Sequence, residues 1–420
     1  MLFISKILTA APVVICLITR SMSSMVVAED VRRDYSIPIL DLTKADSLFS
    51  TVERRKGYLG HPPTVLMRDG KTLLVSYPDA HGRGNLILRR STDAGSTWKP
   101  VEIAAQRVEE TPILYHLDLP GGGERVLLVT CQPGKNILEW MWSDDHGSTW
   151  SERQSWKLES TRGIIVALAS LWPVPGDKPM WRGIFHDHNF DNYTVDLTLD
   201  SGTCRFDNLR RIAYATPEGL ATARRAGLCE AGRVVRRDAK RIALLFRPEK
   251  RLTNSMVSFS DDAGLTWTDP RELPGSLTGH RHESVNLTDG RTMVFMRDYS
   301  PLHAGNPSHG DWVAWVGTFD DLEQGNEGQY RIHLRRNYGN STNNNIGDCG
   351  YSGVELLPDG TVLAMTYGHW ELAPGSKHPN HPDGRGLPPY ILQVKLDPRK
   401  TDAWVKEPAR RVATKNTSKP

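Results

Sequence analysis

The chain has 420 residues, of which 39% are hydrophobic and 24% are charged, with 36 Gly, 27 Pro and 12 Trp. This composition excludes global disorder and supplies enough apolar residues for a large core. The formal charge of +3 lacks the basic excess of a dedicated nucleic-acid binder, so no nucleic-acid partner is expected. The many Gly and Pro residues favour frequent turns, and therefore many short strands.

The N-terminus has the features of a targeting segment. Lys6 is followed by an apolar run from Ile7 to Ile18, and a small residue, Ala28, ends the polar part. This pattern predicts a signal peptide over residues 1–28 and a secreted or periplasmic protein. Because Arg20 interrupts the polar part, an uncleaved anchor is the alternative. No later tract is apolar for long enough to span a bilayer, so no membrane span is expected in the mature chain.

The four cysteines after residue 28 are widely spaced, and none has CxxC spacing: Cys131, Cys204, Cys229 and Cys349. They could form two disulfides with three possible connectivities. We expect the hydrophobic core, rather than disulfides, to hold the fold together.

An eight-residue pattern, Ser-x-Asp-x-Gly-x-Thr-Trp, occurs three times and begins at Ser91, Ser143 and Ser260. The second interval is about twice the first, which indicates a repeat architecture. Asp and Gly predict a tight turn in which the carboxylate caps backbone N–H groups. The Trp is predicted to pack between neighbouring sheets. The pattern therefore indicates a fold and says nothing about chemistry.

Hairpins are predicted between these turns, because Asp-Gly pairs at residues 69, 289 and 359 separate strand-forming runs. The resulting units fall at about 58–105, 108–160, 162–212, 226–275, 280–335 and 349–398. We predict an all-β fold, a six-bladed β-propeller over residues 29–405, with a polar and disordered tail over residues 406–420. The protein is expected to be a monomer.

Aligning the six units places a polar residue just before each innermost strand. The set is His61, Glu110, Arg162, Glu230, His282 and Tyr351. A single polar residue at such a position would be an ordinary surface residue. Six at one repeat position predict a polar funnel at one face of the propeller.

A second set ends the second strand of each unit: Pro78, Gln132, His186, Arg247, Arg297 and Gly368. Two neighbouring guanidiniums repel each other unless an anion lies between them, so Arg247 and Arg297 suggest a site for a carboxylate or a sulfate. The alternative is that each Arg pairs with a local acid such as Glu249 or Asp298. The Gly-rich turn of residues 77–84 leaves the first unit at the same face, and its His81 could transfer a proton.

These residues resemble the sialidase (neuraminidase) superfamily over nearly the whole mature chain. The eight-residue repeats look like its Asp-boxes, and the segment Cys349-Gly350-Tyr351-Ser352 is similar to its nucleophile segment. The resemblance implies that Tyr351 attacks the sugar, that Glu230 takes the phenol proton and that Arg247 belongs to an Arg triad holding the substrate carboxylate. A phenol needs such a base because free Tyr titrates near pH 10.

Three positions depart from the family pattern. His61, within Gly60-His61-Pro62-Pro63, stands where the first triad Arg is expected, and His309-Gly310-Asp311 stands where the third is expected. Arg297 and Arg281 are the candidates to substitute for them. The acid/base Asp should fall near residues 79–81, where Asp79 and His81 are the candidates.

Three functions follow as expectations. The first is an exo-glycosidase that hydrolyses terminal sialic acid or a related acidic sugar. The second is a His/Tyr-dependent lyase or hydrolase of acidic polysaccharides, for which His61, His81 and His282 are candidates. The third is a non-catalytic carbohydrate- or protein-binding propeller, which predicts that Tyr351 and Glu230 lie too far apart to form a hydrogen bond. No cofactor is implied, and no metal site is expected, because His378 and His381 lack partners at ligand spacing.

Overall fold

In the described part of the chain, six sheets of four or five strands are arranged around a central channel, and a two-stranded sheet lies beside them. The computed structural model describes residues 35–103, 106–159, 161–200, 202–299, 308–339, 348–372, 374–375 and 387–406. The predicted signal peptide, His378, His381 and residues 407–420 lie outside these ranges. The six-bladed β-propeller predicted from the repeats is confirmed.

Two strands near the N-terminus precede the first blade: β1 (Ile39–Asp41) and β2 (Phe49–Glu53). The first blade contains β3 (Thr64–Leu66), β4 (Leu73–Pro78), β5 (Gly84–Ser91) and β6 (Lys99–Val101), with β7 (Arg107–Val108) also paired to β5. The second contains β8 (Ile113–Asp118), β9 (Glu124–Gln132), β10 (Ile137–Ser143) and β11 (Gln154–Lys157). The third contains β12 (Ile164–Val174), β13 (Met180–Asp187), β14 (Asn192–Asp200) and β15 (Thr203–Arg211).

Strand β16 (Ala213–Tyr214) and helix α1 (Pro217–Ala226) lead to the fourth blade. That blade contains β17 (Leu228–Val235), β18 (Ile242–Pro248), β19 (Met256–Ser260) and β21 (Arg271–Glu272), while β20 (Thr266–Trp267) pairs with β16. The fifth contains β22 (Gly279–Asn286), β23 (Thr292–Asp298), β24 (Trp312–Gly317) and β25 (Tyr330–Arg335), with helix α2 (Phe319–Gln324) before its last strand. The sixth contains β26 (Gly353–Leu356), β27 (Val362–Gly368) and β28 (Tyr390–Leu396), followed by helix α3 (Pro398–Lys406).

The N-terminal strands close the ring, a feature that the repeat analysis did not predict. Strand β2 pairs antiparallel with β28 and becomes the fourth strand of the sixth blade. Strand β1 pairs in parallel with β25 at the outer edge of the fifth blade. The innermost strands β3, β8, β12, β17, β22 and β26 each contact the next one around the channel. Side chains at their ends therefore meet at the channel.

The core lies between consecutive blades rather than inside a single sheet. One cluster of buried side chains, for example, joins the third and fourth blades, and another joins the fifth and sixth. All four cysteines after residue 28 are buried and free, so the expectation of a core without disulfides holds for them. None of the helices in the described part of the chain has the length and apolarity needed to cross a bilayer.

Each octapeptide turn is stabilised by its Asp. In the first, the Asp93 carboxylate accepts hydrogen bonds from the backbone N–H and the hydroxyl of Thr97, at 2.8 and 2.7 Å. In the third, Trp267 packs edge-on against Trp172 of the preceding blade, with ring centroids 6.0 Å apart. The turn therefore places one aromatic ring per copy at an interface between blades.

Candidate active site

A β-bulge sets the height of the site residues in two neighbouring blades. The pairing of β17 with β18 shifts between Cys229 and Gly232, and the pairing of β22 with β23 shifts between His280 and Glu283. Such bulges re-aim side chains and recur beside active sites.

Within these bulges, Glu230 and Arg281 both adopt the left-handed backbone region, with φ of 47° and 54°. They therefore occupy equivalent positions in the two blades. The alignment that placed His282 level with Glu230 is wrong by one residue. The alignment assumed regular strand pairing, so it did not account for the extra residue in the bulge. His282 is fully buried, and its Nε2 lies 3.2 Å from the carbonyl oxygen of Leu277.

Tyr351 and Glu230 form a hydrogen-bonded pair across the channel. Tyr351 lies just before β26, and its hydroxyl donates to Oε1 of Glu230 over 2.6 Å. Glu230 is buried, with 7% of its surface exposed. The non-catalytic interpretation predicted that these side chains lie too far apart for a hydrogen bond, and that prediction is wrong.

Arg247, at the end of β18, completes this group. Its Nη1 donates to Oε2 of Glu230 at 2.8 Å and to the Tyr351 hydroxyl at 3.0 Å. Burial raises the pKa of Glu230, but Arg247 and the Tyr351 hydrogen bond outweigh burial and lower that pKa to about 2. Burial and the Glu230 charge raise the pKa of Tyr351. A carboxylate base therefore faces a neutral phenol, the pairing that activates a hydroxyl nucleophile.

A cavity of about 580 Å³, which we call the upper cavity, borders Tyr351 and Glu230. Four members of the polar set predicted from the repeats line it: His61, Glu110, Glu230 and Tyr351. Arg247, His81 and Arg83 line it as well, whereas the other two members of that set, Arg162 and His282, do not. Burial raises the pKa of Glu110, which favours its protonated form. The predicted polar residues that line the cavity thus come from four blades rather than six.

The structure does not bring Asp79 to this cavity. Its carboxylate accepts hydrogen bonds from the backbone and side-chain nitrogens of Asn85, each at 2.8 Å, and lies 3.6 Å from Arg55. Asp79 therefore stabilises its own turn, as Asp commonly does. The site residue of this segment is His81, two positions later.

The other two arginines have separate partners. Arg297 Nη2 lies 2.7 Å from Nδ1 of His280. Arg281 Nε donates to Glu283 at 2.9 Å, and its guanidinium lies 5.7 Å from the ring of Tyr351. Arg281 lines a second cavity, of about 750 Å³. Arg247 also pairs with Glu249, as the local-acid alternative expected. Of these three arginines, Arg247 is the one that lines the upper cavity.

A network of aromatic and imidazole side chains adjoins Tyr351. Asp348 accepts hydrogen bonds from Tyr367 at 2.5 Å and Tyr58 at 2.8 Å, and lies 3.3 Å from Nδ1 of His81. The His61 ring is buried and stands edge-on to Tyr351, with centroids 4.4 Å apart.

The charges of this network depend on burial and on Asp348. Burial lowers the pKa of His61 to about 3, so its ring is neutral. The hydrogen bond to Asp348 raises the pKa of His81. For Asp348 itself, burial raises the pKa, but His81, His61 and the Tyr367 hydrogen bond outweigh burial and lower it.

Three members of this network, Asp348, Tyr58 and Tyr367, were not predicted from the sequence. Asp348 stands three residues before Tyr351, and Tyr58 stands three residues before His61. This short distance from a predicted site residue is the signal that could have identified Asp348 and Tyr58. Tyr367 immediately precedes Gly368, the residue that the repeat alignment selected at the end of the second strand.

Solved structures with the same architecture are recognisable at low sequence identity. A protein of unknown function from Dyadobacter fermentans is 16% identical with a TM-score of 0.58, over 83% of this chain and 97% of that one. The NanB sialidase of Streptococcus pneumoniae is 11% identical with a TM-score of 0.55, over 83% and 70%. The leech intramolecular trans-sialidase is 12% identical with a TM-score of 0.56, over 81% and 68%.

A scan against protein-family models finds no match, and neither does a search of curated protein sequences. The structural likeness defines the class of fold: a sialidase-type six-bladed propeller with a divergent sequence. Fold likeness at this identity does not fix a reaction, so function has to be argued from the site.

Proposed function

We propose that this protein is a retaining exo-glycosidase that removes a terminal acidic sugar, sialic acid or a related carboxylated residue, from a glycan. The observation that carries the proposal is the 2.6 Å hydrogen bond from the Tyr351 hydroxyl to the Glu230 carboxylate, with Arg247 bonded to both groups. A neutral phenol approaches an anomeric centre that bears a carboxylate more easily than a second carboxylate does. Sialidases use a Tyr in this way, as an exception to the two-carboxylate rule.

The first chemical step transfers the sugar to Tyr351. The phenol oxygen bonds to the anomeric carbon while Glu230 accepts the phenol proton, and the bond from that carbon to the leaving oxygen breaks. Arg247 stabilises the charge that develops on the phenol oxygen. In the second step, water attacks the same carbon, the phenolate leaves, and Glu230 returns the proton to it.

The leaving oxygen needs a proton, and we assign its donation to Glu110. This side chain lines the upper cavity, and burial raises its pKa, as a general acid requires. After departure of the leaving group, the Glu110 carboxylate takes a proton from the attacking water. Asp79 and His81 were the expected donors, and the carboxylate of Asp79 instead accepts hydrogen bonds from Asn85.

The test is release of free sialic acid from an aryl sialoside by the purified protein and by Tyr351→Phe. Tyr330→Phe is the matched control. The Tyr330 hydroxyl lies on the outer strand β25 and hydrogen-bonds to Thr401 and Asp402 of helix α3. We expect release by the wild type and by Tyr330→Phe, and loss in Tyr351→Phe. If all three folded proteins release nothing from a panel of acidic aryl glycosides, the proposal is wrong.

The Glu110 assignment has its own experiment. In Glu110→Gln, hydrolysis should fall strongly for substrates with poor leaving groups and much less for nitrophenyl glycosides, which need little protonation. An equal loss for both substrates would exclude Glu110 as the proton donor.

A second candidate reaction is β-elimination at an acidic polysaccharide. The network of Tyr58, His81, Asp348, Tyr367 and His61 favours it, because a lyase needs a base and an acid beside a bound carboxylate. The measurement is ultraviolet absorbance of unsaturated uronates during incubation with acidic polysaccharides. A rising signal would favour the lyase, and its absence together with glycoside hydrolysis would favour the glycosidase.

A further inference from the structure

Three potential metal ligands converge beside Tyr351 from segments far apart in the chain. His61 precedes β3, His81 follows β4, and Asp348 precedes β26. One ligand atom from each, an imidazole nitrogen or a carboxylate oxygen, lies within 4.8 Å of the other two. These residues have no ligand spacing along the chain, because the fold alone brings them together.

We propose that His61, His81 and Asp348 bind one divalent transition-metal ion of the zinc type. Two imidazoles and one carboxylate form the donor set of many zinc sites with three protein ligands, which keep a fourth position open. His61 and His81 both line the upper cavity together with Tyr351. The open position would therefore face the space that a substrate enters.

The distances are compatible with a modest closure of the site. Zinc bonds of about 2.0–2.2 Å place neighbouring ligand atoms roughly 3.4 Å apart in a tetrahedron. His81 Nδ1 already lies 3.3 Å from Oδ2 of Asp348. The side chain of His81 is 68% exposed, so it can rotate toward His61 without disturbing the core.

The other two ligands are held in place by the surrounding tyrosines. The Tyr367 hydroxyl donates to Oδ1 of Asp348 at 2.5 Å, and the Tyr58 hydroxyl donates to Oδ2 at 2.8 Å. His61 is buried between the rings of Tyr351 and Tyr367, with centroid distances of 4.4 and 4.8 Å. Hydrogen-bonded carboxylates and fixed imidazole rings are typical of the shell that supports metal ligands.

The ion would add positive charge beside Tyr351, where the family pattern has an Arg and this chain has His61. His61 stands where an Arg is expected to hold the substrate carboxylate, and Arg247 is already bonded to Glu230 and Glu249. A cation on His61, His81 and Asp348 could bind that carboxylate directly. This role rests on the proposed function, whereas the metal site itself does not. It assigns to His61 and His81 the holding of a cation rather than the transfer of a proton.

The test measures metal binding without any substrate, so its outcome is independent of the glycosidase proposal. The full-length protein, treated with a chelator and dialysed, is titrated with Zn²⁺ by calorimetry and with Co²⁺ by visible absorption. We expect one ion per chain and the intense absorption bands of tetrahedral Co²⁺. His81→Asn and His61→Asn should each weaken binding at least about 100-fold, and Tyr58→Phe about 10-fold to 100-fold, as losses around metal ligands do.

His116→Asn is the matched control. It removes an imidazole from a second group, in which His116 and His146 lie on opposite oxygens of Glu124 at 2.8 and 2.9 Å. This variant should still bind one ion with unchanged affinity. Absence of saturable Zn²⁺ binding would overturn the proposal, as would binding that survives His81→Asn and is lost in His116→Asn. Because His81 is mostly exposed, its variant should remain folded, and circular dichroism checks this.

Discussion

The fourth and fifth blades have the same backbone at the channel and use it differently. Both innermost strands carry a bulge, with Glu230 in one and Arg281 at the equivalent position of the next. Both second strands end near an arginine, Arg247 or Arg297. In the fourth blade the two side chains bond to each other and to Tyr351, whereas in the fifth the arginines bond to Glu283 and His280.

The comparison shows that a repeat fold supplies equivalent positions and that local partners select which of them form the site. Five experiments test this difference between the two blades, and they are arranged from the largest expected effect to the smallest.

Glu230→Gln should reduce kcat/KM for an acidic aryl glycoside by about 10²–10⁴-fold, because it removes the base that accepts the Tyr351 proton. Glu283→Gln, the comparable change in the fifth blade, should alter the rate by no more than a few-fold. Steady-state kinetics on both folded variants measure the contrast. Equal losses would mean that the two blades contribute alike to the reaction.

Arg247→Met should lower the free energy of unfolding by about 3–5 kcal/mol at pH 7, because it leaves a buried Glu230 carboxylate without its cation. Arg281→Met should cost less, because its partner is better solvated: the Glu283 side chain is 28% exposed, against 8% for Glu230. Urea denaturation followed by fluorescence measures both. A larger loss in the fifth blade would contradict the comparison.

The same variant has a pH signature. The pKa of Glu230 is lowered to about 2 in the folded protein, below the unfolded value of about 4.3. The stabilisation from its ionised form is therefore complete above the unfolded pKa and is lost as the pH falls through the folded one. The stability difference between wild type and Arg247→Met should shrink between about pH 5 and pH 2. A stability difference that does not depend on pH would show that Arg247 does not lower the pKa of Glu230.

Gly232→Ala should destabilise the protein by about 1–3 kcal/mol through overpacking. A Cβ atom at Gly232 would lie 1.9 Å from the carbonyl oxygen of His282 on the adjacent strand. The equivalent position of the fifth blade is Glu283, which already carries a Cβ atom, so the restriction is specific to the fourth blade. Thermal unfolding measures the loss, and a Gly232→Ala protein as stable as the wild type would contradict it.

The smallest effect is expected at the outer turns. Asp262→Ala removes the carboxylate that bonds the backbone N–H and the hydroxyl of Thr266, and should cost about 1 kcal/mol. In the fifth blade, helix α2 replaces this turn, and Asp321 caps it by accepting from the Thr318 N–H at 2.8 Å. Asp321→Ala should cost a similar amount. Denaturant midpoints of the two variants should therefore agree closely.

The architecture could be predicted because turns and hairpins have local signatures. Octapeptide turns and Asp-Gly pairs placed the blades close to their observed limits. Long-range pairing has no such signature, so neither the closing strand β2 nor the parallel strand β1 was predicted.

The site was predicted unevenly for the same reason. Tyr351, Glu230 and Arg247 meet as the family resemblance implied. The alignment selected His282 instead of Arg281, because it could not account for the bulge. Asp79 does not line the cavity, because its carboxylate accepts hydrogen bonds from Asn85. The grouping of Asp348 with Tyr58 and Tyr367 depends on side chains from different blades, which no spacing along the chain reveals.

Closure of the ring by β2 also determines when, during synthesis, the propeller can finish folding. The amide of Gln393 donates to the hydroxyl of Ser50, 343 positions away. The sixth blade therefore cannot assemble until β28, which is synthesised long after β2, has left the ribosome. A chain cut short before β28 would lose more than its own missing strand, since β2 would then be an unpaired edge open to other chains.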